Sequence, residues 1–130
     1  MKTLFFFFLS VFSFTVMSLE SCPEDPEAEW HNCEGSYQYS SGETYSGEWQ
    51  NNLFHGRGSY AHSVGQWETD LYVGDFKEDK KNGFGIYTYT DGVRYVGEFK
   101  DDMKDGKGKY LFLDGTTKQL KCSFDKCEEI

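Results

Sequence analysis

Three carboxylates recur at matching positions in this 130-residue chain, and carboxylate pairs are the usual groups for general acid–base chemistry. Glu48, Asp75 and Glu98 each follow a Tyr-x-Gly triplet, so we expect them to line up along one face of a sheet. A suitably spaced pair would exchange a proton with a substrate. Because all three belong to one repeated phrase, we interpret them instead as a solvent-facing row and expect the chain not to be an enzyme.

Metal and phosphate chemistry are disfavoured by residue spacing. The histidines and cysteines match no zinc pattern. The acidic segment 101–106 has Met103 where a calcium loop needs Asp or Asn, and Phe112 stands where that loop needs Glu. The Gly-x-Gly motifs do not join a strand to a helix, as a phosphate-binding loop does. We therefore predict no metal, no cofactor and no catalytic residue.

Four cysteines in a short chain with an export signal predict two disulfides. Three connectivities are possible. Sequence distance favours pairing Cys22 with Cys33 and Cys122 with Cys127, each closing a short loop at one end of the repeated region.

One phrase is written three times between these cysteine pairs. Each copy reads Tyr-x-Gly, an acidic residue and Trp or Phe, and Gly-x-Gly-x-Tyr begins eleven residues after the first Tyr. Fixed internal spacing indicates a repeat architecture. The repeated positions are Tyr45, Gly47, Trp49, Gly56, Gly58, Tyr60, Tyr72, Gly74, Phe76, Gly83, Gly85, Tyr87, Tyr95, Gly97, Phe99, Gly106, Gly108 and Tyr110.

Alternation of aromatic or Gly residues with polar ones predicts half-exposed strands. Each phrase becomes a β-hairpin, which predicts an all-β fold: one elongated single-layer antiparallel sheet of about seven or eight strands. The glycines leave space that aromatic rings on neighbouring strands can cover. One register puts Gly97 beside Tyr110 and Glu98 opposite Lys109, whereas a shift by two residues pairs Glu98 with Lys107.

The N-terminus has the layout of a secretory signal peptide. Residues 4–17 are almost entirely apolar after a basic start, and this run is shorter than the ~20 residues of a spanning helix. We predict a cleaved signal helix over 1–18, with cleavage after Ser21 as the alternative. A membrane anchor is the competing interpretation. Glu20-Ser21-Cys22 is a poor lipobox, which disfavours lipoprotein anchoring at Cys22. The predicted location is secreted or periplasmic.

We divide the remainder into a Cys/Pro-rich cap at 19–34, a repeat domain at 35–124 and a C-terminal tail at 125–130. Full repeats cover about 45–67, 72–94 and 95–117, with partial units at 35–44 and 118–124. The formal charge of −9 argues against nucleic acid and anionic membranes as partners.

The repeated phrase resembles the MORN (membrane occupation and recognition nexus) repeat. Asn82 and Asp105 depart from the family, which often has His before this glycine, as at His55. The segment Cys22–Cys33 resembles a cap of bacterial secreted MORN proteins. The resemblance implies an elongated single-layer sheet used in scaffolding, dimerisation or lipid association.

Two functions from different classes follow. The first is a non-catalytic scaffold or interaction module exported to the cell envelope, with an unknown protein partner or a second copy. The second is a carbohydrate- or cell-wall-binding module that uses the aromatic face, with Trp49, Trp67 and Tyr39 as candidate glycan contacts. Phospholipid association is a weaker third possibility, carried by the family resemblance alone.

Overall fold

The computed structural model describes residues 18–25, 27–63 and 69–130, and these form strands and turns only. In chain order the strands are β1 Glu20–Ser21, β2 Cys33–Gln38, β3 Thr44–Gln50, β4 Leu53–Ser63, β5 Thr69–Lys77, β6 Lys80–Thr88, β7 Arg94–Lys100, β8 Met103–Leu111, β9 Thr117–Ser123 and β10 Lys126–Glu129. Within these ranges no helix is long and apolar enough to cross a membrane. The predicted signal helix, apart from Ser18, and Trp67 lie outside the described residues.

All ten strands belong to one sheet, ordered as in the chain. The predicted single-layer all-β fold is confirmed, with two differences. The strand count is ten because β1 and β10 add short strands at the edges, and β1 pairs with β2 in parallel. Each added strand lies next to or contains a disulfide cysteine: Cys22 bonds Cys33, and Cys122 bonds Cys127. The disulfides hold segments that are too short to pair stably by themselves.

Two kinds of turn alternate along the sheet. Within each hairpin the loop has two residues, both with positive φ, as in Asp101–Asp102. Such turns match the right-handed twist of the flanking strands. Between hairpins, the described connections are three-residue loops that end in a glycine, as at 90–92, where the Tyr89 N–H donates to the Val93 carbonyl and Gly92 has a φ of 85°. The connection 64–68 between β4 and β5 lies outside the described residues. Asp and Gly are the residues that tolerate these conformations, which explains the turn sequences.

The register places glycine opposite glycine. Gly35, Gly47, Gly58, Gly74, Gly85, Gly97 and Gly108 form a continuous row across β2 to β8. The register with Gly97 beside Tyr110 is therefore wrong. The register shifted by two residues is found from Arg94 to Gly97, but the bulge that follows takes Glu98 out of the Cα pairing, and its side chain accepts the Lys107 N–H instead. The reason for the glycine pairing is steric: a Cβ atom on Gly97 would lie 2.6 Å from the Cα atom of Gly108. Only paired glycines let these strands approach while a tyrosine ring covers them.

Seven tyrosines form a second row on the same side of the sheet, which we call the aromatic face. They are Tyr37, Tyr45, Tyr60, Tyr72, Tyr87, Tyr95 and Tyr110. Tyr45, Tyr72 and Tyr95 are buried and lie over the glycine row. The ring of Tyr45 meets Phe76 of the next hairpin edge to face at 5.1 Å. Such aromatic pairs contribute about 0.5–1.5 kcal/mol beyond area burial, so the core of this single layer is a strip of rings.

Candidate functional site

The recurrent carboxylates serve the backbone. Glu48, Asp75 and Glu98 each sit at a β-bulge. Each accepts a hydrogen bond from a backbone N–H of the opposite strand: Arg57 to Glu48 Oε1 at 2.9 Å, Phe84 to Asp75 Oδ2 at 3.0 Å and Lys107 to Glu98 Oε2 at 2.5 Å. Their recurrence follows from the repeated bulge, which supports the structural interpretation.

The first glycine of each Gly-x-Gly makes room for this carboxylate. Gly83 has a φ of 116°, and a Cβ atom there would lie 2.8 Å from Asp75 Oδ2. The second glycine belongs to the glycine row. The tyrosine that covers this row donates its hydroxyl to the carbonyl of the bulge residue, from Tyr72 to Asp75 at 3.0 Å. One phrase thus specifies a bulge, its hydrogen bonds and its aromatic cover.

Two lysines place their ammonium groups against tyrosine rings on the aromatic face. Lys104 Nζ lies 5.3–5.5 Å from the ring centroids of Tyr89, Tyr95 and Tyr110 and 3.1 Å from the Tyr110 hydroxyl. Burial alone lowers the pKa of Lys104, but its hydrogen bonds to the Tyr89 and Tyr110 hydroxyls outweigh burial and raise that pKa. Lys81 Nζ similarly approaches the ring of Tyr87 at 5.5 Å. The rings of this face therefore hold the protein's own ammonium groups by cation–π contact.

The N-terminal end of the aromatic face forms an open groove, which we call the aromatic groove. Its volume is about 330 Å³, and its lining is Ala28, Trp30, Tyr37, Tyr39, Trp49 and Asn52. Trp30 stands nearly perpendicular to Trp49 and to Tyr37, with ring centroids 4.8 and 6.3 Å away. The rings thus form walls at right angles around an open space.

The proposed glycan contacts differ in their accessibility. Tyr39 is 37% exposed in the groove. Trp49 is 6% exposed, and its indole N–H donates to the Gly35 carbonyl at 3.0 Å. Trp49 therefore forms the floor of the groove, and Tyr39 forms part of its wall. Trp67 lies outside the described residues.

Trp30 is positioned by a device that repeats along the sheet, which we call the turn clamp. Asn52 Oδ1 accepts from the Trp30 N–H at 2.7 Å, and the Asn52 N–H donates to the Trp30 carbonyl at 2.9 Å. The same pair of bonds joins each later turn to the preceding hairpin: Asp79 to Phe54, Asp102 to Lys81 and Asp125 to Lys104. The segment around Trp30 is thus bound to the first hairpin in the same way as each hairpin is bound to the next turn. The sequence analysis did not predict this contact.

The opposite face carries an exposed apolar cluster at its centre, which we call the central patch. Val73, Ile86 and Val96 are direct partners across β5, β6 and β7. Phe84, two residues before Ile86, is 56% exposed, and Val73 is 45% exposed. The sequence predicted a polar face here. The available signal was Val in the Tyr-x-Gly triplets of the second and third repeats, where the first repeat has Ser46.

Within the described ranges, no group of three or more His, Cys, Asp or Glu residues could hold a metal ion. His31 is a turn residue whose Nδ1 accepts the Asn51 N–H at 3.2 Å. All four cysteines are consumed by the two disulfides, in the pairing that sequence distance favours. The described side chains thus offer binding surfaces.

Comparison with known proteins agrees with this geometry. The model of the MORN repeat family matches residues 45–67, 72–94 and 95–117, more than half of the chain. The chain belongs to the MORN-repeat family. This match confirms the predicted resemblance at the level of the family. MORN repeats are generally protein or membrane interaction modules.

A curated MORN relative gives the scale of the similarity. The chain is 35% identical over 86 residues to MORN repeat-containing protein 3 of Xenopus laevis. The match covers 58% of this chain and 34% of that relative, so the chain spans about a third of the relative's length. The similarity therefore extends to a set of MORN repeats, while the exported bacterial type stays a prediction.

Proposed function

We propose that this MORN chain is an exported, non-catalytic module that binds a protein partner through the central patch. The observation that carries the proposal is the exposure of Val73, Phe84 and Ile86 on adjacent strands of a single layer, with the half-buried Val96 beside Ile86 on the next strand. A single-layer sheet has no second layer to cover such side chains. Contiguous exposed apolar residues mark interaction sites.

Export is supported by the two disulfides, since disulfides persist in oxidising compartments. The non-catalytic role is supported by the carboxylates at the bulges, which are engaged by backbone N–H groups. Carbohydrate binding stays a second candidate, supported by the exposed rings of Tyr37 and Tyr39 in the aromatic groove.

Site-specific photo-crosslinking tests the partner. A benzophenone amino acid at Phe84 should give one discrete crosslinked product in the exporting cell, because this side chain projects from the central patch. The matched control is the same amino acid at Leu113, which is also exposed but lies in a turn between hairpins. Adding Val73→Asp should abolish the product. A product absent at Phe84, equal at both positions, or insensitive to Val73→Asp contradicts the proposal.

A further inference from the structure

We propose that the aromatic groove binds a methylated ammonium group, such as the trimethylammonium of choline or of a trimethylated lysine. The groove is on the opposite side of the sheet from the central patch, so this proposal stands or falls independently of the proposed function.

Ammonium groups already lie against tyrosine rings elsewhere on the same face. In the second and third hairpins, the sheet's own lysines, Lys81 and Lys104, place ammonium groups against the tyrosine rings. The turn clamps show that Trp30 and Phe54 occupy the equivalent positions at the N-terminal end. The N-terminal units therefore have more rings and lack the internal cation, which leaves their aromatic surface available to an external one.

The negative charge of the N-terminal part of the chain also favours a cation in the groove. Residues 3–56 contain eight Asp or Glu residues and no Lys or Arg, so the groove lies in the most acidic part of the chain. Burial raises the pKa of Tyr39, and the carboxylates of Asp79 and Glu43 raise it further. A cation in the groove is thus attracted by ring faces and by the surrounding carboxylates.

The acceptors in the groove favour a methylated over a primary ammonium. A primary ammonium carries three N–H donors that need acceptors. Among the described side chains that line the groove there is no carboxylate, and Asn52 Oδ1 already accepts the Trp30 N–H, so the hydroxyls of Tyr37 and Tyr39 are the two side-chain acceptors left for three donors. A trimethylammonium group has no donor to satisfy and is held by aromatic walls, the usual recognition of quaternary ammonium. The perpendicular rings of Trp30, Tyr37 and Trp49 supply such walls.

The test is a titration of the purified, disulfide-bonded chain, followed by NMR at the Trp30 indole N–H. The probes are choline, trimethyllysine amide, unmodified lysine amide and the uncharged carbon isostere of choline, in which tert-butyl replaces trimethylammonium. We expect saturable shifts with the methylated cations and at least about tenfold weaker binding of the isostere and of lysine amide. The tighter of choline and trimethyllysine amide identifies the source of the group.

Ring variants test the site. Tyr37, 48% exposed at the groove, is changed to Leu and to Phe: Tyr37→Leu should weaken choline binding about tenfold, whereas Tyr37→Phe should preserve it. Phe124→Leu, at an exposed aromatic in the far turn, is the control and should have no effect. Equal binding of the isostere or of lysine amide, no effect of Tyr37→Leu, or no saturable shift with any probe would overturn the proposal.

Discussion

At the residue scale, the buried tyrosines are the most constrained groups of this protein. Tyr45, Tyr72 and Tyr95 lie over paired glycines and direct their hydroxyls to the carbonyls of the bulge residues, at 2.8, 3.0 and 3.3 Å. A Cβ atom on Gly58 would lie 2.5 Å from the Tyr45 hydroxyl oxygen. Ring, glycine and bulge therefore depend on one another, and none tolerates independent change.

The raised pKa values of three tyrosines on the aromatic face predict that the protein loses stability at alkaline pH. Burial raises the pKa of Tyr45, Tyr72 and Tyr87 far above the usual value of 10.0, with smaller contributions from nearby carboxylates. The folded state keeps phenolic protons that the unfolded state releases above pH ~10. Stability is therefore fully present below pH ~10 and decreases above it, by up to about 1.4 kcal/mol per pH unit for each of the buried Tyr45 and Tyr72, and by less for the half-buried Tyr87, where solvent screens the charge.

Urea titrations at rising pH, with tyrosinate absorbance and circular dichroism recorded together, measure this dependence. The part of the tyrosinate absorbance that belongs to the buried tyrosines should appear only together with the loss of strand signal, and Tyr72→Phe should reduce the slope by one tyrosine's share. Complete tyrosinate formation in a sheet that stays folded would contradict the prediction.

At the scale of the element, the turn clamp links each hairpin to the one before it. The second residue of each two-residue turn accepts a backbone N–H through its side chain and donates its own N–H to the same residue. The bond therefore crosses between repeats, in addition to the strand ladder and the contacts between rings. An acidic or Asn residue at this position also tolerates the positive φ.

Asp102 is the residue at which to test the clamp. Asp102→Asn keeps the oxygen that accepts the Lys81 N–H and should change the free energy of unfolding little, as Asn52 does the same in the first turn. Asp102→Gly keeps the backbone conformation and removes the bond, so we expect a loss of about 1 kcal/mol beyond the backbone entropy of glycine. Urea denaturation measures both.

Asp101 provides the matched control, since its φ of 47° is also positive and no hydrogen bond of its carboxylate is found among the described residues. The difference in the free energy of unfolding between Asp101→Gly and Asp101→Asn measures the backbone entropy of glycine alone. If positions 101 and 102 show the same difference between Gly and Asn, the clamp contributes nothing to stability.

At the scale of the whole molecule, each strand contacts mainly its neighbours in the chain, as in other repeat proteins. Stability then depends on nearest-neighbour interfaces, and the ends need special protection. Disulfides Cys22–Cys33 and Cys122–Cys127 lie at opposite edges of the sheet. They fix β1 beside β2 and β10 beside β9 in the sheet.

Removing one end disulfide should therefore act locally. In the double variant Cys122→Ser, Cys127→Ser, we expect β9 and β10 to lose about 2 kcal/mol of protection, while β4 to β7 keep theirs. Hydrogen exchange followed by mass spectrometry resolves the two regions. The double variant Cys22→Ser, Cys33→Ser is the mirror control and should affect β1 and β2. Uniform loss of protection across all strands would show a single cooperative unit instead.

Much of the fold follows from local pattern. Alternation and the turn residues predict the hairpins because the side-chain period of a strand and the positive φ of a turn are local properties. Pairing of Cys22 with Cys33 followed from sequence distance. The register was left between two alternatives because Gly97 can face either Tyr110 or Gly108 without violating the pattern, and only contacts between backbones exclude the first.

The sequence by itself determined a repeated hairpin, an all-β single sheet, membership of the MORN family and two end disulfides, since each is encoded in residue type and spacing. The tertiary structure alone decided which contacts the repeated residues make. It showed the carboxylates bound to backbone N–H groups, Trp30 clamped as an extra unit, and Phe84 and Val73 exposed together. These depend on distances between residues far apart in the chain, which a one-dimensional pattern does not contain. The carboxylates that first suggested acid–base chemistry accept backbone hydrogen bonds at the bulges, and the central patch and the aromatic groove are the surfaces that we propose for binding.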